Sequence, residues 1–232
     1  MSIAAFAIRT RWWGFAPFTA VSVLHVLVLG AGADALAQPT KLLLMPLLAL
    51  GVLWAGNGSG WGAPFTLLFI ALAFSWLGDG AATFFPFAPP LPLMLGCFAA
   101  AHLAYIVLFT RHLARQPFPR WSAVYLLWWM AMLVVLGAVL IPQPGGLGWL
   151  VAVGAYGVLL GFTAASAARG TPAIASGGVL FLCSDSILAF RVFLPDAMPG
   201  WTGPLVMLAY CAGQGLLAAG AVMALVHGRG RR

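Results

Sequence analysis

The stretch that decides the fold is GGVLFLCSDSIL, residues 177–188, which places a carboxylate in the middle of a long apolar run. Such a run is long enough to cross a bilayer as a helix, where a bare carboxylate costs about 2.5–3.5 kcal/mol on insertion scales. The whole chain has only four acidic residues, all of them aspartates. We therefore expect Asp185 to have a function that explains why a carboxylate stands at this position despite the free energy needed to insert it.

The composition predicts a membrane protein. Of the 232 residues, 63% are hydrophobic and 6% are charged, whereas soluble domains are about one quarter charged. Apolar runs recur along the whole length, so we predict an all-α polytopic membrane protein that forms a single integral membrane domain over residues 1–232. The net charge of +7 comes from arginines in short loops and at the termini. Membrane topology explains these arginines better than nucleic-acid binding, and we expect no nucleic-acid partner.

Segments rich in proline and glycine divide the chain into eight predicted transmembrane helices. Their predicted ranges are 12–34, 40–56, 63–85, 91–111, 121–141, 147–168, 172–194 and 202–227. Eight crossings put both termini on one side of the membrane.

Charge then predicts the orientation. Lys41 and Arg191 lie on one side, and the other side holds nine arginines: Arg9, Arg11, Arg111, Arg115, Arg120, Arg169, Arg229, Arg231 and Arg232. The positive-inside rule makes the arginine-rich side cytoplasmic, so both termini are predicted to be cytoplasmic.

Polar residues concentrate in the predicted non-cytoplasmic half of the bundle. At about 1.5 Å per residue, His102, Asp185 and Gln214 lie roughly 15 Å from the non-cytoplasmic helix ends. Asp79 and Tyr210 lie roughly 9 Å from those ends by the same rise. Intramembrane ionisable groups usually mark a functional site, so their common depth predicts a polar pocket.

Further polar residues belong to the same predicted pocket. Lys41 and Arg191 lie near its mouth, Ser184 shares a helix face with Arg191, and Tyr105 shares one with His102. Structural roles remain as alternatives. His102 could serve helix packing, the Tyr210 and Gln214 pair could join helices, and Asp185 could form an ion pair with Arg191 or Lys41.

The residue types favour general acid–base hydrolysis through a cationic transition state. One group protonates the substrate, another activates water, and an ionised aspartate stabilises the cation. A catalytic zinc site normally has three histidine or carboxylate ligands, and His102 is the one deep histidine near the carboxylates. We therefore predict no metal and no cofactor. Ser184 lies outside any G-x-S-x-G motif, so a serine triad is not predicted.

The chain resembles the YhhN-like/TMEM86 family of integral membrane proteins, whose characterised members are lysoplasmalogenases. Five stretches carry the resemblance and occur in family order: KLLLMP (41–46), LGD (77–79), GCFAAAHLAY (96–105), GGVLFLCSD (177–185) and YCAGQ (210–214). Two departures are Leu42, where a proline commonly follows the lysine, and the small, aromatic segment after Asp79.

The resemblance implies hydrolysis of the vinyl-ether bond of a lysoplasmalogen, an alkenyl-glycerophosphocholine or alkenyl-glycerophosphoethanolamine. The products are a fatty aldehyde and the glycerophospho-head group. On this basis Asp79 and Asp185 supply acid and base in an unassigned order, and His102 orients water or shuttles a proton. Lys41 and Arg191 hold the phosphate.

The other predicted substrate-binding residues are Tyr105, Tyr210 and Gln214, which position the ether oxygen or water, and Ser184. The expected partners are the lysolipid substrate and membrane lipids, and no oligomeric state is predicted. The location expected from the compact arginine-marked loops is a bacterial inner membrane, with the active site in the non-cytoplasmic half.

Two other functions remain open from the sequence. A proton-coupled transporter of small solutes or lipids could use the same aspartates and histidine as a relay, although such a protein needs polar access from both faces. A related lysophospholipid hydrolase or lipid-binding regulator would share the pocket and differ in substrate.

Overall fold

Eight long helices follow one another in the computed structural model, which describes residues 11–229, with Asp34, Gly228 and Arg229 described by backbone alone. Within this part the chain forms no strand. The helices are α1 (Ala16–Gly30), α2 (Asp34–Gly56), α3 (Ala63–Asp79), α4 (Pro90–Val107), α5 (Val124–Leu140), α6 (Gly146–Ala167), α7 (Pro172–Phe193) and α8 (Thr202–Arg229). The fold is therefore all-α, as the sequence predicts.

Seven helical segments of the described chain are long and apolar enough to cross a bilayer, which identifies an integral, multi-pass membrane protein. α1 reaches this length together with the 3₁₀ turn Trp13–Phe15 that precedes it. α3 is apolar but shorter, with 17 residues. At 1.5 Å per residue it spans about 26 Å, slightly less than a typical hydrocarbon core.

The boundary between α1 and α2 differs from the predicted one. α1 ends at Gly30 instead of residue 34, and Gly32 follows with a positive φ of 66° that glycine adopts without strain. α2 begins at Asp34 instead of residue 40 and contains Pro39 and Pro46 in its interior. Lys41 consequently lies two turns inside α2, where its side chain can reach the interior of the bundle.

α3 is also shorter than predicted, because it ends at Asp79 and not at residue 85. Gly80 follows, and a single helical turn, Ala81–Phe84, leads away from it. The Phe84 ring occupies the space beside Gly80, where an added Cβ would lie 2.3 Å from it. The break makes Asp79 the last residue of the helix, so its side chain is not enclosed by a further turn.

The arginines that the structure describes, apart from Arg191, lie toward one end of the bundle. Arg11 donates to the carbonyl of Ala55 near the end of α2. The backbone N–H of Arg115 donates to the carbonyl of Arg169 over 2.8 Å, which joins the connections after α4 and α6. Of the predicted cytoplasmic set, Arg9, Arg231 and Arg232 lie outside the described residues, and the side chain of Arg229 is not described.

Glycines allow α7 to approach both of its neighbours. A Cβ added to Gly177 would lie 2.8 Å from the backbone nitrogen of Leu217 on α8, and one added to Gly178 would lie 2.8 Å from the Cβ of Ala167 on α6. A Cβ added to Gly213 would likewise lie 2.9 Å from the backbone nitrogen of Phe181 on α7. This close packing, typical of small residues in membrane helices, sets the distance between α7 and α8.

We predict that Gly177→Ala destabilises the protein, because backbone atoms of α8 cannot move aside as a flexible side chain can. Overpacking of this kind costs about 1–3 kcal/mol. Gly96→Ala is the matched control, since nothing lies within 4 Å of a Cβ at Gly96. Thermal unfolding of both variants in detergent tests the prediction. A Gly177→Ala protein that melts at or above the parental temperature would contradict it.

Candidate active site

A cavity of about 140 Å³ is lined by seven helices, α2 to α8, and five of them contribute polar side chains. α3 and α7 contribute their C-terminal parts, and α4, α6 and α8 contribute their N-terminal parts. Because successive helices with short connections run antiparallel, this end is opposite the arginine-rich end. Its polar lining residues are Lys41, Asp79, Tyr156, Ser184, Asp185, Ser186 and Tyr210.

The negative charge of Asp79 is stabilised by an adjacent cation and by a hydrogen bond from a hydroxyl. Its Oδ1 lies 3.3 Å from the Nζ of Lys41, and its Oδ2 accepts a 2.7 Å hydrogen bond from the hydroxyl of Tyr210. The Asp79 side chain is 3% exposed, whereas that of Lys41 is 27% exposed. A buried carboxylate is stabilised in its charged form by an adjacent cation and by a donated hydrogen bond. This site is therefore built to hold an ionised carboxylate.

Asp185 has a different environment. Among the described residues it forms no ion pair, and its Oδ2 accepts a hydrogen bond from the hydroxyl of Tyr156. The Nε2 of His102 lies 3.1 Å from the same hydroxyl. The other ring nitrogen, Nδ1, lies 3.1 Å from the Oγ1 of Thr163. Asp185 thus ends a polar chain that runs from α7 through α6 to α4 and back to α6.

An aromatic cluster separates the two carboxylate environments. The Phe181 ring lies 4.9 Å from the His102 ring and 5.5 Å from the Tyr210 ring, centroid to centroid, and meets both edge to face. The Phe98 ring lies 6.0 Å from that of Tyr210. These rings therefore form the apolar packing between Tyr210, which bonds to Asp79, and His102, which is linked to Asp185.

A third polar group lies outside the cavity lining. The hydroxyl of Tyr105 donates to the Oε1 of Gln214 over 2.6 Å, and the Nε2 of Gln214 donates to the Oγ of Ser75 over 2.9 Å. All three residues have no exposed surface. They connect α4, α8 and α3 outside the cavity lining, so their observed role is to hold these three helices together.

Arg191 is also separated from the cavity lining. Its guanidinium donates to the hydroxyl of Thr202 and, at 3.4 Å, to the carbonyl of Pro199, and it packs beside Gly203. These contacts attach the end of α7 to the beginning of α8. Arg191 therefore lies near the cavity end of the bundle without facing the carboxylates.

The structure brings together five of the nine residues that the sequence predicts for the site: Lys41, Asp79, Ser184, Asp185 and Tyr210. His102 reaches this group through Tyr156, whereas Tyr105, Gln214 and Arg191 do not line the cavity. One structural alternative supposed that Asp185 pairs with Lys41 or Arg191. Among the described residues, neither cation forms an ion pair with Asp185. Within residues 11–229, no group of three or more His, Cys, Asp or Glu side chains could hold a metal ion.

Sequence reasoning missed Tyr156, which connects Asp185 to His102. The sequence could have identified Tyr156, because a hydroxyl in the middle of an apolar helix needs a hydrogen-bond partner when it is buried. The sequence could not have identified Thr163 in this way, because the hydroxyl of a threonine in a helix can bond to the backbone of the same helix.

Membrane-spanning helices and a cavity lined by two carboxylates define an integral membrane protein with a polar site suited to acid–base chemistry. The model of the YhhN family matches residues 36–221, and the chain belongs to that family. This confirms the resemblance drawn from the sequence motifs. The matched segment contains every polar residue of the cavity. No curated protein and no solved structure matches the chain.

We predict that Tyr105→Phe lowers the free energy of unfolding by about 1–3 kcal/mol, because it leaves a buried Oε1 of Gln214 without its donor. Tyr125→Phe is the matched control, since the hydroxyl of Tyr125 makes no hydrogen bond to another described residue. Denaturation of both variants in mixed micelles measures the difference. Equal stability of the two variants would show that the bond between Tyr105 and Gln214 contributes nothing to the fold.

Proposed function

We propose that this protein is an intramembrane lysoplasmalogenase, an ether-bond hydrolase that converts an alkenyl-glycerophospholipid and water into a fatty aldehyde and the glycerophospho-head group. The observation that carries the proposal is the pair of aspartates, Asp79 and Asp185, which line one cavity and have opposite environments. Two carboxylates with different environments are suited to separate roles as acid and base. Membership of the YhhN family supports the same function.

Asp185 is the proposed general acid. It has no cationic partner among the described residues, so a proton removes the cost of an unpaired charge in a largely apolar cavity. In the first step the Asp185 carboxyl gives this proton to the alkenyl carbon that is not bonded to oxygen. The product is an oxocarbenium ion, in which the positive charge is shared between the other alkenyl carbon and the ether oxygen.

Asp79 is the proposed carboxylate that stabilises this cation and activates water. The Lys41 ammonium and the Tyr210 hydroxyl keep it ionised when the cavity is empty. Water adds to the oxocarbenium carbon as Asp79 accepts its proton, which gives a hemiacetal. The hemiacetal collapses when Asp79 returns that proton to the glycerol oxygen and Asp185 takes the hemiacetal hydroxyl proton. Both aspartates then regain their starting states.

The remaining lining accounts for the substrate class. The apolar chain would lie against side chains of α5 and α6, among them Met132, Leu133 and Leu160. Lys41 is the cation that both lines the cavity and keeps exposed surface, so it is the proposed contact for the phosphate. Arg191, near the same end, would assist at the entrance if the head group displaced its bond to Thr202.

We further propose that α3 is the eighth membrane crossing, since it is apolar and buries Phe65, Leu68 and Leu72 within the bundle. Eight crossings put both termini on the arginine-rich side, which is cytoplasmic by the positive-inside rule. The cavity then opens toward the non-cytoplasmic half. A bacterial inner membrane is the proposed location.

The proposal predicts that purified protein releases aldehyde from a vinyl-ether lysolipid and not from its alkyl-ether or acyl counterparts. Only the vinyl ether forms an oxocarbenium ion by protonation of carbon. Mass spectrometry of reactions with the three matched lipids measures the products. Fatty acid from the acyl lipid would replace the proposal with a lysophospholipid hydrolase. Solute flux into proteoliposomes without any product would replace it with a transporter.

A second prediction concerns the two aspartates. Asp79→Asn and Asp185→Asn should each lower the rate of aldehyde release by about 100-fold or more, because each removes a proton-transfer group. Asp196→Asn is the control, since Asp196 is exposed in the turn Pro195–Ala197 and should retain the parental rate. Folded Asp79→Asn and Asp185→Asn proteins that react at the parental rate would disprove these roles.

A further inference from the structure

His102 is a buried ionisable side chain that the proposed reaction does not use directly. It has no exposed surface and does not line the cavity. Both of its ring nitrogens nevertheless have polar partners, Thr163 at Nδ1 and Tyr156 at Nε2. The partner at Nε2 is the same hydroxyl that donates to Asp185, so His102 is connected to the cavity carboxylate through one residue.

The neighbours of His102 determine which ring nitrogen carries its permanent proton. The hydroxyl of Thr163 donates to the carbonyl of Leu159 over 2.8 Å, so its single proton is already used. Thr163 can then only accept from His102, which requires a proton on Nδ1. Nε2 is left as the nitrogen that can gain or lose a proton, and it faces the hydroxyl of Tyr156.

Tyr156 connects this nitrogen to Asp185. When Asp185 is protonated, its hydroxyl donates to the Oη of Tyr156, and Tyr156 donates to a neutral Nε2. When Asp185 is ionised, a protonated Nε2 donates to Tyr156, and Tyr156 donates to Asp185. The second state becomes the first when one proton moves from Nε2 of His102 to Oη of Tyr156 and another moves from Oη of Tyr156 to Oδ2 of Asp185. No heavy atom has to move, and every proton remains hydrogen-bonded in both states.

We propose that His102 and Tyr156 are positioning residues that share a proton with Asp185 and so keep Asp185 protonated before each turnover, with Thr163 fixing the histidine tautomer. This inference rests on the proposed function for its kinetic consequence. The hydrogen-bonded chain itself is a property of the protein without substrate. His102 thus acts on the reaction through Asp185 and contacts neither water nor lipid in the cavity.

The other groups around Asp185 do not form such a chain. Across the cavity lie Asp79, Lys41 and Tyr210, which bond to one another. On α7 itself, Cys183 is exposed and Arg191 bonds to Thr202. From α5 the lining consists of side chains that do not titrate: Trp128, Trp129, Met132, Leu133 and Leu136.

The chain contains a matched control for the histidine. His25 of α1 is also buried, and its Nδ1 lies 2.8 Å from the Oγ1 of Thr40, whose hydroxyl donates to the carbonyl of Leu36. The Nε2 of His25 has no hydrogen-bond partner among the described residues. The two histidines therefore share a threonine contact, and only His102 is connected to an aspartate.

Nuclear magnetic resonance of the full-length protein, labelled with heavy nitrogen in its histidine rings, tests the inference. Single substitutions of His25, His112 and His227 identify the remaining pair of nitrogen signals as His102 without changing the chain under study. We expect Nδ1 of His102 to be the protonated nitrogen. We also expect its Nε2 signal to move with pH and to lose this response in Asp185→Asn, whereas the His25 signals stay constant between these two proteins.

Two results would overturn the inference. One is a His102 tautomer with its permanent proton on Nε2, which is measured in the unsubstituted protein and does not depend on any variant folding. The other is an Nε2 signal that responds to pH equally with and without Asp185. Neither result involves a substrate, so failure of the inference is distinguishable from failure of the proposed lysoplasmalogenase activity.

If the protein releases aldehyde, kinetics provide a further test. Thr163→Val should reduce kcat about tenfold, leave KM unchanged and move the midpoint of the pH profile, because a smaller fraction of the protein then holds Asp185 in its protonated form while lipid binding is unaffected. Thr40→Val, which removes the corresponding hydroxyl beside His25, should leave kcat, KM and the pH profile as they are. The same kinetic change in both variants would mean that Thr163 has only a structural role.

Discussion

A charge in an apolar helix bundle must be neutralised or paired, and this constraint determines how Asp79 and Asp185 are built into the protein. Asp79 is paired with Lys41 and receives a hydrogen bond from Tyr210. Asp185 has no cation among the described residues and ends a chain of hydroxyl and imidazole groups that begins with Tyr156. The first arrangement stabilises a carboxylate, and the second allows a carboxyl to gain and lose a proton.

Helix geometry brings these two environments to one cavity. The break at Gly80 leaves Asp79 at the end of α3, and the close glycine contacts between α7 and α8 bring Asp185 and Tyr210 to the same cavity. The aromatic cluster around Phe181 keeps the two hydrogen-bonded groups apart. The difference between the aspartates therefore depends on packing at sites that carry no chemistry themselves.

Much of this arrangement could be predicted from the sequence, because apolar runs between helix breakers define the helices and because ionisable groups inside them are few. Asp79, Asp185 and Lys41 were found for that reason. Side-chain direction could not be predicted, since residues at equal depth on different helices can face the cavity or a neighbouring helix. Gln214 shares the expected depth of Asp185 yet bonds to Tyr105 and Ser75 instead of facing the cavity. Tyr156 was missed because its importance lies in its two partners, and these are distant in sequence.

The central claim is that Asp185 delivers a proton to carbon. Hydrolysis of a vinyl-ether lysolipid in heavy water, followed by mass spectrometry of the aldehyde, tests this claim most directly. Our account predicts one deuterium bound to the carbon next to the aldehyde group, because the proton on Asp185 exchanges with solvent before it is transferred. An aldehyde without carbon-bound deuterium, formed under conditions where the free aldehyde does not exchange, would contradict protonation of carbon and the role assigned to Asp185.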